Sequence, residues 1–298
     1  MSVTGALETF RSERPVRFSD CDPAGIVFFP RFLEMMNDLT EDWFGEGLGV
    51  PFDEFHLVQR RGVPLVHTHV EFLAACRIGE RLTLELRVET LGRSSIVLRV
   101  LGRVQGEERL RVRHKIAMVS TDGRLRAIPI PDEMRERMSR FLIPGAVPTP
   151  DAPASAGPPP ARAFRSPQLV RFAHCDPAEI VFYPRFFDLF ASVLEDWFAQ
   201  GLGSPFGTDF MGPRNLRIPS LAITAQFQVA CRLSEVIDFD LWVTRLGRSS
   251  LDLAIQGSVA GETRLRAAWT MCVIDYATFK STPIPEDLRE RMRAFQAG

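Results

Sequence analysis

The sequence predicts an α+β chain made of two copies of one domain, and three observations carry that prediction. The stretch RFSDCDPAGIVFFPRF (Arg17 to Phe32) returns as RFAHCDPAEIVFYPRF (Arg171 to Phe186). Each copy feeds a strongly apolar helical segment and then a long run that alternates apolar and polar residues. A stretch rich in Pro and Ala separates the copies. One buried helix followed by an antiparallel meander is the pattern of a sheet wrapped around a helix.

The repeat is regular over its whole length. Residues 16–52 aligned with 170–206 share 22 identities in 37 positions. The match resumes one residue out of step through "ACR" (Ala75–Arg77, Ala230–Arg232) and "LGRSS" (Leu91–Ser95, Leu246–Ser250). It closes with "PIP" and "RERM" in both copies. Units this long are domains and not solenoid repeats. The expected boundaries are 1–143, a linker at 144–163, and 164–298. The 17 residues PGAVPTPDAPASAGPPP (Pro144 to Pro160) hold no large aromatic or branched cluster and read as a solvated, semi-extended linker. At ~3.1 Å per residue they reach about 50 Å, enough for the copies to pack on one another.

Within a copy each element has a local cause. Pro30 and Pro184 suit the first turn of a helix, where a missing N–H is harmless. Phe32, Leu33, Met35, Met36, Leu39, Trp43 and Phe44 then recur at helical spacing, and the second copy is more apolar still. Glycines at 45, 47, 49, 201 and 203 end these helices. RLTLELRVET, IVLRV and RLRVRHKIAMV alternate with the period of a strand, and Gly92 and Gly106 mark hairpins. PDEMRERM and PEDLRERM predict a short closing helix in each copy.

Composition narrows the function classes. Hydrophobic residues make up 45% of the chain and charged residues 24%, which suits a globular core. A net charge of −1 gives no electrostatic footprint for nucleic acid or an anionic membrane. No apolar run approaches the ~20 residues of a membrane span, and the first residues lack a secretory h-region. The five cysteines form no C-x-x-C pair and read as reduced thiols, so the expected setting is cytoplasmic. His67 and His69 alternate on one strand face, but no third ligand stands at convincing spacing, so no metal is expected.

The string D-C-D-P-A-G-I-V-F-F-P with its apolar helix, then RRGVPLV, the meander and LGRSS, resembles the 4-hydroxybenzoyl-CoA thioesterase family of hotdog-fold acyl-CoA thioesterases. The resemblance covers nearly all of each copy and implies a tandem double hotdog. That family works as a dimer of single hotdogs, so this chain is expected to form an intrachain pseudo-dimer. The resemblance also implies acyl-CoA substrates and no cofactor beyond the coenzyme A of the substrate.

By resemblance the catalytic carboxylates are Asp22 and Asp176. An aspartate is ionised at neutral pH and can take a proton from water or attack an acyl carbon. Its other role is ordinary, since Asp is a favoured turn residue. The backbone N–H groups of Phe29 and Tyr183, at the helix starts, are the implied oxyanion donors. Arg93 and Arg248 match the basic position that holds CoA phosphates, with Ser94, Ser95, Ser249 and Ser250 beside them. A solvated hairpin turn explains these residues equally well. Gly62 and Pro64 match an R-G-x-P strand start next to the thioester, whereas the second copy reads NLRIP. Glu179 in place of Gly25, and His174 in place of Asp20, set the second copy apart. Near the helix, Asn37 and Asp38 against Ala191 and Ser192 give the two acyl pockets different polarity.

The expected function is hydrolysis of an aromatic or short-chain acyl-CoA. Two other classes remain open from the residues. One is a hotdog hydratase or dehydratase of enoyl and 3-hydroxyacyl thioesters, which needs a histidine such as His174. The other is a non-catalytic acyl-CoA-binding module. The expected partner is the thioester alone, with further self-association of pseudo-dimers left open.

Overall fold

The computed structural model describes residues 8–123, 125–147, 149–154 and 157–297. The chain divides into two compact units, Met1–Asp151 and Ala152–Gly298.

In the first unit, β1 (Phe10–Pro15) leads through the acid string into α1 (Phe29–Asp42). Then follow β2 (Arg61–Gly62), β3 (Leu65–Phe72), β4 (Arg81–Leu91), β5 (Ser95–Val104), β6 (Glu107–Ala117), β7 (Val119–Ser120), β8 (Arg126–Ala127) and α2 (Asp132–Ser139). Strands β1, β4, β5, β6 and β3 lie side by side in that order, each antiparallel to its neighbour. Alternation decides which face is inside. Leu82, Leu84, Leu86 and Val88 of β4, with Ile96, Leu98 and Val100 of β5, are fully or nearly fully buried. Facing them, α1 buries Phe32, Leu33, Met35, Met36 and Leu39. Burying side chains of this kind contributes about 1.5–3 kcal/mol each relative to exposure.

Two local devices shape this layer. Gly102 sits opposite Leu84 and Leu110, and a Cβ there would overlap the Leu110 side chain. Glycine therefore lets β5 and the core close up at that point. A bulge at Val88–Thr90 shifts the β4–β5 register, which resumes through Thr90 and Leu91, and Val88 also bridges to Leu142 in the chain after α2. Val88 exchanges backbone bonds with Phe141 and Ile143 at 2.9 and 2.8 Å. Phe141 then meets the edge of Trp43, 5.8 Å between ring centres.

The expected helix end differs in detail. Regular α-helix stops at Asp42, and Trp43–Gly47 forms one wider turn in which the Leu48 N–H reaches Trp43 O at 2.8 Å. The Trp43 ring lies over Gly47, where a Cβ would come within 2.6 Å of it.

The second unit repeats the design with β9 (Phe164–Leu169), α3 (Tyr183–Asp196), β10 (Leu216–Arg217), β11 (Ser220–Phe227), β12 (Val236–Leu246), β13 (Ser250–Val259), β14 (Glu262–Cys272), β15 (Ile274–Asp275) and α4 (Glu286–Arg293). Its strands run β9, β12, β13, β14, β11, again antiparallel. Helix α3 buries eight residues, from Pro184 to Leu194, so its apolar face is wider than that of α1.

Most of the described residues of the joining stretch are exposed, but the stretch is fastened at one point. Arg113 on β6 donates to Thr149 O at 2.9 Å and to Asp151 Oδ1 at 2.6 Å, and Lys115 holds Asp151 Oδ2 at 2.7 Å. Ala154 is buried. The composition of the stretch gave no sign of this anchoring, because the anchor residues lie on a distant strand.

Candidate active site

The acid string folds into a tight loop whose geometry follows from its residues. Pro23 fixes one backbone angle, and Asp22 Oδ1 accepts the Ala24 N–H at 2.8 Å, an Asx turn. The Gly25 N–H closes the turn onto Asp22 O at 2.9 Å, and the Asp22 N–H donates to Ile26 O at 2.9 Å. Gly25 has φ +76°, the left-handed region that glycine adopts without cost. Two bonds fasten this loop to its surroundings: Phe28 N–H to Asp20 O and Val27 N–H to Cys76 O, both 2.9 Å. Asp22 is half-buried.

The loop delivers the chain directly into α1. Phe29 is the first helical residue, Pro30 has no N–H, and the Arg31 N–H donates to Phe28 O at 2.9 Å. The Phe29 N–H therefore stands at the positive end of the helix. The Phe28 and Phe29 rings meet edge to face at 5.5 Å, and Phe29 lies 6.4 Å from Phe72 of β3. Asp22 and Phe29 thus belong to one pinned segment. Arg31 forms an ion pair with Glu34 at 2.5 Å, as Arg185 does with Asp188 at 3.0 Å.

The second unit reproduces the set almost bond for bond. Asp176 Oδ1 accepts Ala178 N–H at 2.8 Å, Glu179 N–H reaches Asp176 O at 2.9 Å, and Asp176 N–H reaches Ile180 O at 3.0 Å. Tyr183 opens α3. The replacement of Asp20 by His174 has a structural explanation. Asp20 Oδ2 accepts the Arg17 N–H at 2.7 Å, and His174 Nδ1 accepts the equivalent Arg171 N–H at 3.2 Å. Burial, with Arg171 and Arg185 adding to it, pushes the His174 pKa down. It caps the same short turn as a neutral ring. The replacement of Gly25 is different in kind. Glu179 holds φ +61°, a left-handed backbone on a residue with a side chain.

The neighbouring thiols are poor nucleophiles. Burial first, then the charges of Asp20 and Asp22, push the Cys21 thiol up, and burial followed by Asp176 does so for Cys175. Cys76 and Cys231 are pushed to about 12 by burial.

The remaining candidates sit in other loops. Arg93 is exposed at the β4–β5 hairpin, and its carbonyl accepts the Ile130 N–H at 2.9 Å. Arg135 of α2 braces the hairpin through Gly92 O at 2.6 Å, and Met118 N–H bonds Ser94 O at 2.7 Å. Ser95 opens β5. Arg248, also exposed, Ser249 and Ser250 repeat this, with Arg289 bonding Gly247 O at 2.7 Å and Arg248 O at 2.8 Å. The contacts that build these hairpins run to α2 and α4 and to the chain just after β6 and β14, away from the acid loops. Gly62 pairs with Val119 at the start of the path to Pro64 and β3. A Cβ on Gly62 would stand 3.3 Å from Thr121.

The second unit fills that place with a pair that the sequence pattern did not reveal. Arg217 stands where Gly62 does, and Tyr276 where Thr121 does. The Arg217 guanidinium lies 3.9 Å from the Tyr276 ring centre and donates to Met211 O at 2.9 Å. The signal available was the replacement of Gly62 by Arg217 and of Thr121 by Tyr276 at equivalent positions of the repeat.

Asn37 turns to Glu41 at 2.7 Å, while Asp38 lines an open groove of about 480 Å³ with Glu13, Arg14, Arg17, Asp20, Met35, Glu41 and Asp42. Asp22 is not in its wall. Burial raises the Asp38 pKa, opposed by Arg14. His67 and His69 share one face of β3, whereas His114 on β6 lies opposite Thr68, on the other face. Among the described residues no group of three or more His, Cys, Asp or Glu is placed to hold a metal ion, and no helix is long and apolar enough to cross a membrane.

Comparison with known proteins places this geometry. The sequence family described as the thioesterase-like superfamily matches residues 16–138. The 1,4-dihydroxy-2-naphthoyl-CoA hydrolase of Synechocystis sp. is 34% identical over 82 residues, 28% of this chain and 59% of that protein, so the chain spans less than two thirds of that relative. The protein of the same name from Acaryochloris marina is 30% identical over 112 residues, 38% of this chain and 71% of that one. The 4-hydroxybenzoyl-CoA thioesterase of Pseudomonas sp. is 29% identical over 135 residues, 43% of this chain and 95% of that one. Among solved structures, the 12:0-ACP thioesterase of Umbellularia californica superposes with a TM-score of 0.70 at 16% identity, covering 89% of this chain and 94% of its own. An acyl-ACP thioesterase from Bacteroides thetaiotaomicron gives 0.62 at 8% identity, covering 88% and 97%. The likeness of fold runs through both units, each a hotdog with its sheet curled over one central helix. The acid loop, the helix it feeds and this kinship together make the chain a member of the thioesterase-like superfamily.

Proposed function

We propose that the chain is an acyl-CoA thioesterase that cleaves an aromatic or short-chain acyl-CoA to the free acid and coenzyme A. The observation that carries this reading is the pinned carboxylate: Asp22 is locked in an Asx turn that runs straight into the mouth of α1. The aromatic acyl groups in the names of the Synechocystis and Pseudomonas relatives support the substrate class.

Chemically, the thioester carbonyl is electrophilic because sulfur donates little resonance. Asp22 acts on it in one of two ways. As general base it takes a proton from a water that adds to the carbonyl carbon. As nucleophile it adds directly, the C–S bond breaks, the CoA thiolate leaves and takes a proton, and water then hydrolyses the mixed anhydride. In both, the carbonyl oxygen gains negative charge next to the Phe29 N–H at the helix end. Asp176 and Tyr183 take the same parts in the second unit. Arg93, Ser94 and Ser95, with Arg248, Ser249 and Ser250, are assigned to the CoA phosphates, and Gly62 and Pro64 to the strand start beside the thioester. Coenzyme A enters as part of the substrate, with no separate cofactor. The two hotdogs work as an intrachain pseudo-dimer, with hotdogs at 1–143 and 164–298 and a linker at 144–163, in a cytoplasmic setting that suits the free thiols.

His174 supports this reading over a hydratase, because its Nδ1 is already used to cap Arg171. Thiol release from a panel of acyl-CoAs tests the proposal. Wild type should release free CoA, preferentially from aromatic or short-chain esters. Hydration of enoyl-CoA without thiol release, or tight binding without turnover, would overturn it.

A further inference from the structure

We propose that His174 is a positioning residue of the Asp176 loop, and that through it the second site, unlike the first, loses turnover in mild acid. The inference rests on the thioesterase reading above and adds to it a difference in regulation between the two sites.

The argument starts from what His174 joins. Its ring Nδ1 accepts the Arg171 N–H at 3.2 Å, and its own N–H donates to Arg171 O at 2.9 Å. The short turn Phe172–His174 is thereby closed from both sides just before the acid loop. At the far end of the loop the Phe182 N–H donates to His174 O at 2.9 Å. Phe182 directly precedes Tyr183, the first residue of α3. One residue therefore ties the entry of the loop to the exit from which the Tyr183 N–H is presented. Asp20 makes the same three links in the first unit. It accepts the Arg17 N–H at 2.7 Å through Oδ2, donates its N–H to Arg17 O at 3.1 Å and accepts the Phe28 N–H at 2.9 Å through its carbonyl.

The links are alike, but the cap atoms are not. A carboxyl group keeps an acceptor oxygen whether or not it is protonated. An imidazole accepts only when neutral, because the imidazolium carries two donors and no acceptor. Protonation of His174 sets N–H against N–H at Arg171 and releases the cap. The surroundings of the ring favour its neutral form. Burial lowers its pKa, Arg171 of the same turn and Arg185 of α3 add to this, and Asp188 of α3 opposes it. Asp188 is engaged by Arg185 at 3.0 Å. Of the charged groups that share a groove with Asp20, Glu13, Arg14 and Asp38 are replaced by Pro167, Gln168 and Ser192, while Glu41 and Asp42 recur as Glu195 and Asp196. Asp196 accepts from Ser166 and Gln168 of β9. With a pKa below the ordinary value near 6.5, the cap is intact at neutral pH and is lost as pH falls through that lowered value.

The test uses the full chain in two reporter backgrounds. Asp22→Asn leaves turnover to the second site, and Asp176→Asn leaves it to the first. Thiol release from one acyl-CoA is followed from pH about 7.5 to about 5, a range that spans the ordinary titration of histidine. We expect kcat/KM of Asp22→Asn to fall at least about threefold more over this range than that of Asp176→Asn. In Asp22→Asn/His174→Asp, which copies the cap of the first unit, the extra fall should vanish; His174→Asn, a neutral acceptor, should act alike. Parallel profiles in the two backgrounds would overturn the proposal, as would an extra fall that survives His174→Asp. So would an Asp22→Asn variant inactive at every pH while wild type turns over. Amide hydrogen exchange in wild type, corrected for intrinsic rates, gives a readout that needs no turnover. Protection of the Arg171 N–H should drop across the range while that of Arg17 holds, and equal behaviour of the two would contradict the cap. If wild type cleaves no thioester, the thioesterase reading fails while exchange still decides the cap. If wild type is active and both reporters share one profile, this inference alone fails.

Discussion

The Asp22 carboxylate accepts the Ala24 N–H through one oxygen, and that bond makes the residue part of its own scaffold. Asparagine keeps a side-chain oxygen for the same bond, so Asp22→Asn separates charge from turn geometry, whereas Asp22→Ala disturbs both. At this scale the units differ at two left-handed positions, Gly25 against Glu179 and Gly79 against Ser234. Glu179→Gly relieves a strain of about 1–2 kcal/mol, reduced by the extra freedom glycine gives the unfolded chain, about 0.4–1 kcal/mol. The expected net effect is a gain of about 0.5–1 kcal/mol, read as a higher midpoint in urea. A lower midpoint would mean that Glu179 makes a stabilising contact. The acid loop was legible in the sequence because its bonds link residues two to four apart, and Asp, Pro and Gly each favour one step of it. Arg217 over Tyr276 was not legible, because that contact joins residues brought together only by the β10–β15 pairing.

At the scale of elements, periodicity located α1, α3 and the long strands because burial of one face is repeated along each. It could not show that α1 widens at Trp43, since that turn depends on the Trp43 ring lying over Gly47. Nor could it separate the His114 environment from that of His67. His114 is buried, and burial, with the nearby His67 adding to it, pushes its pKa down to about 3. The unfolded value is near 6.5, so below that pH the unfolded chain binds a proton that the folded chain refuses. The stability His114 supports is therefore present above pH 6.5 and lost as pH falls toward 3. Between pH 7 and 5 this one group costs about 2 kcal/mol. His69 and His174, also shifted down mainly by burial, act in the same direction. Urea titrations at the two pH values should show His114→Leu losing about 2 kcal/mol less than wild type. An identical loss in both would show that His114 does not titrate as described.

For the molecule as a whole, duplication was legible from the repeated string alone, and a sheet wrapped around a helix in both halves followed from the helix-then-meander order; the hotdog fold was implied by the resemblance carried on the acid string. The anchoring of the joining stretch was not, because Arg113 and Lys115 reach Asp151 from a strand far back in the chain. Two consequences belong to this scale. Asp151→Ala should speed proteolytic cutting between 144 and 163, compared with wild type by gel. Under the pseudo-dimer proposal the cut halves should still elute together at the size of the intact chain, and separation into single-domain species would contradict it.

The central claim is that a carboxylate held at the mouth of a buried helix cleaves a thioester. Free-thiol release from an aromatic acyl-CoA, measured for wild type, Asp22→Asn, Asp176→Asn and the double variant with matched thermal midpoints, tests it most directly. The account predicts a loss of about 10²–10⁴-fold in Asp22→Asn, a smaller loss in Asp176→Asn and no residual turnover in the double variant. Undiminished thiol release in the folded double variant would contradict it.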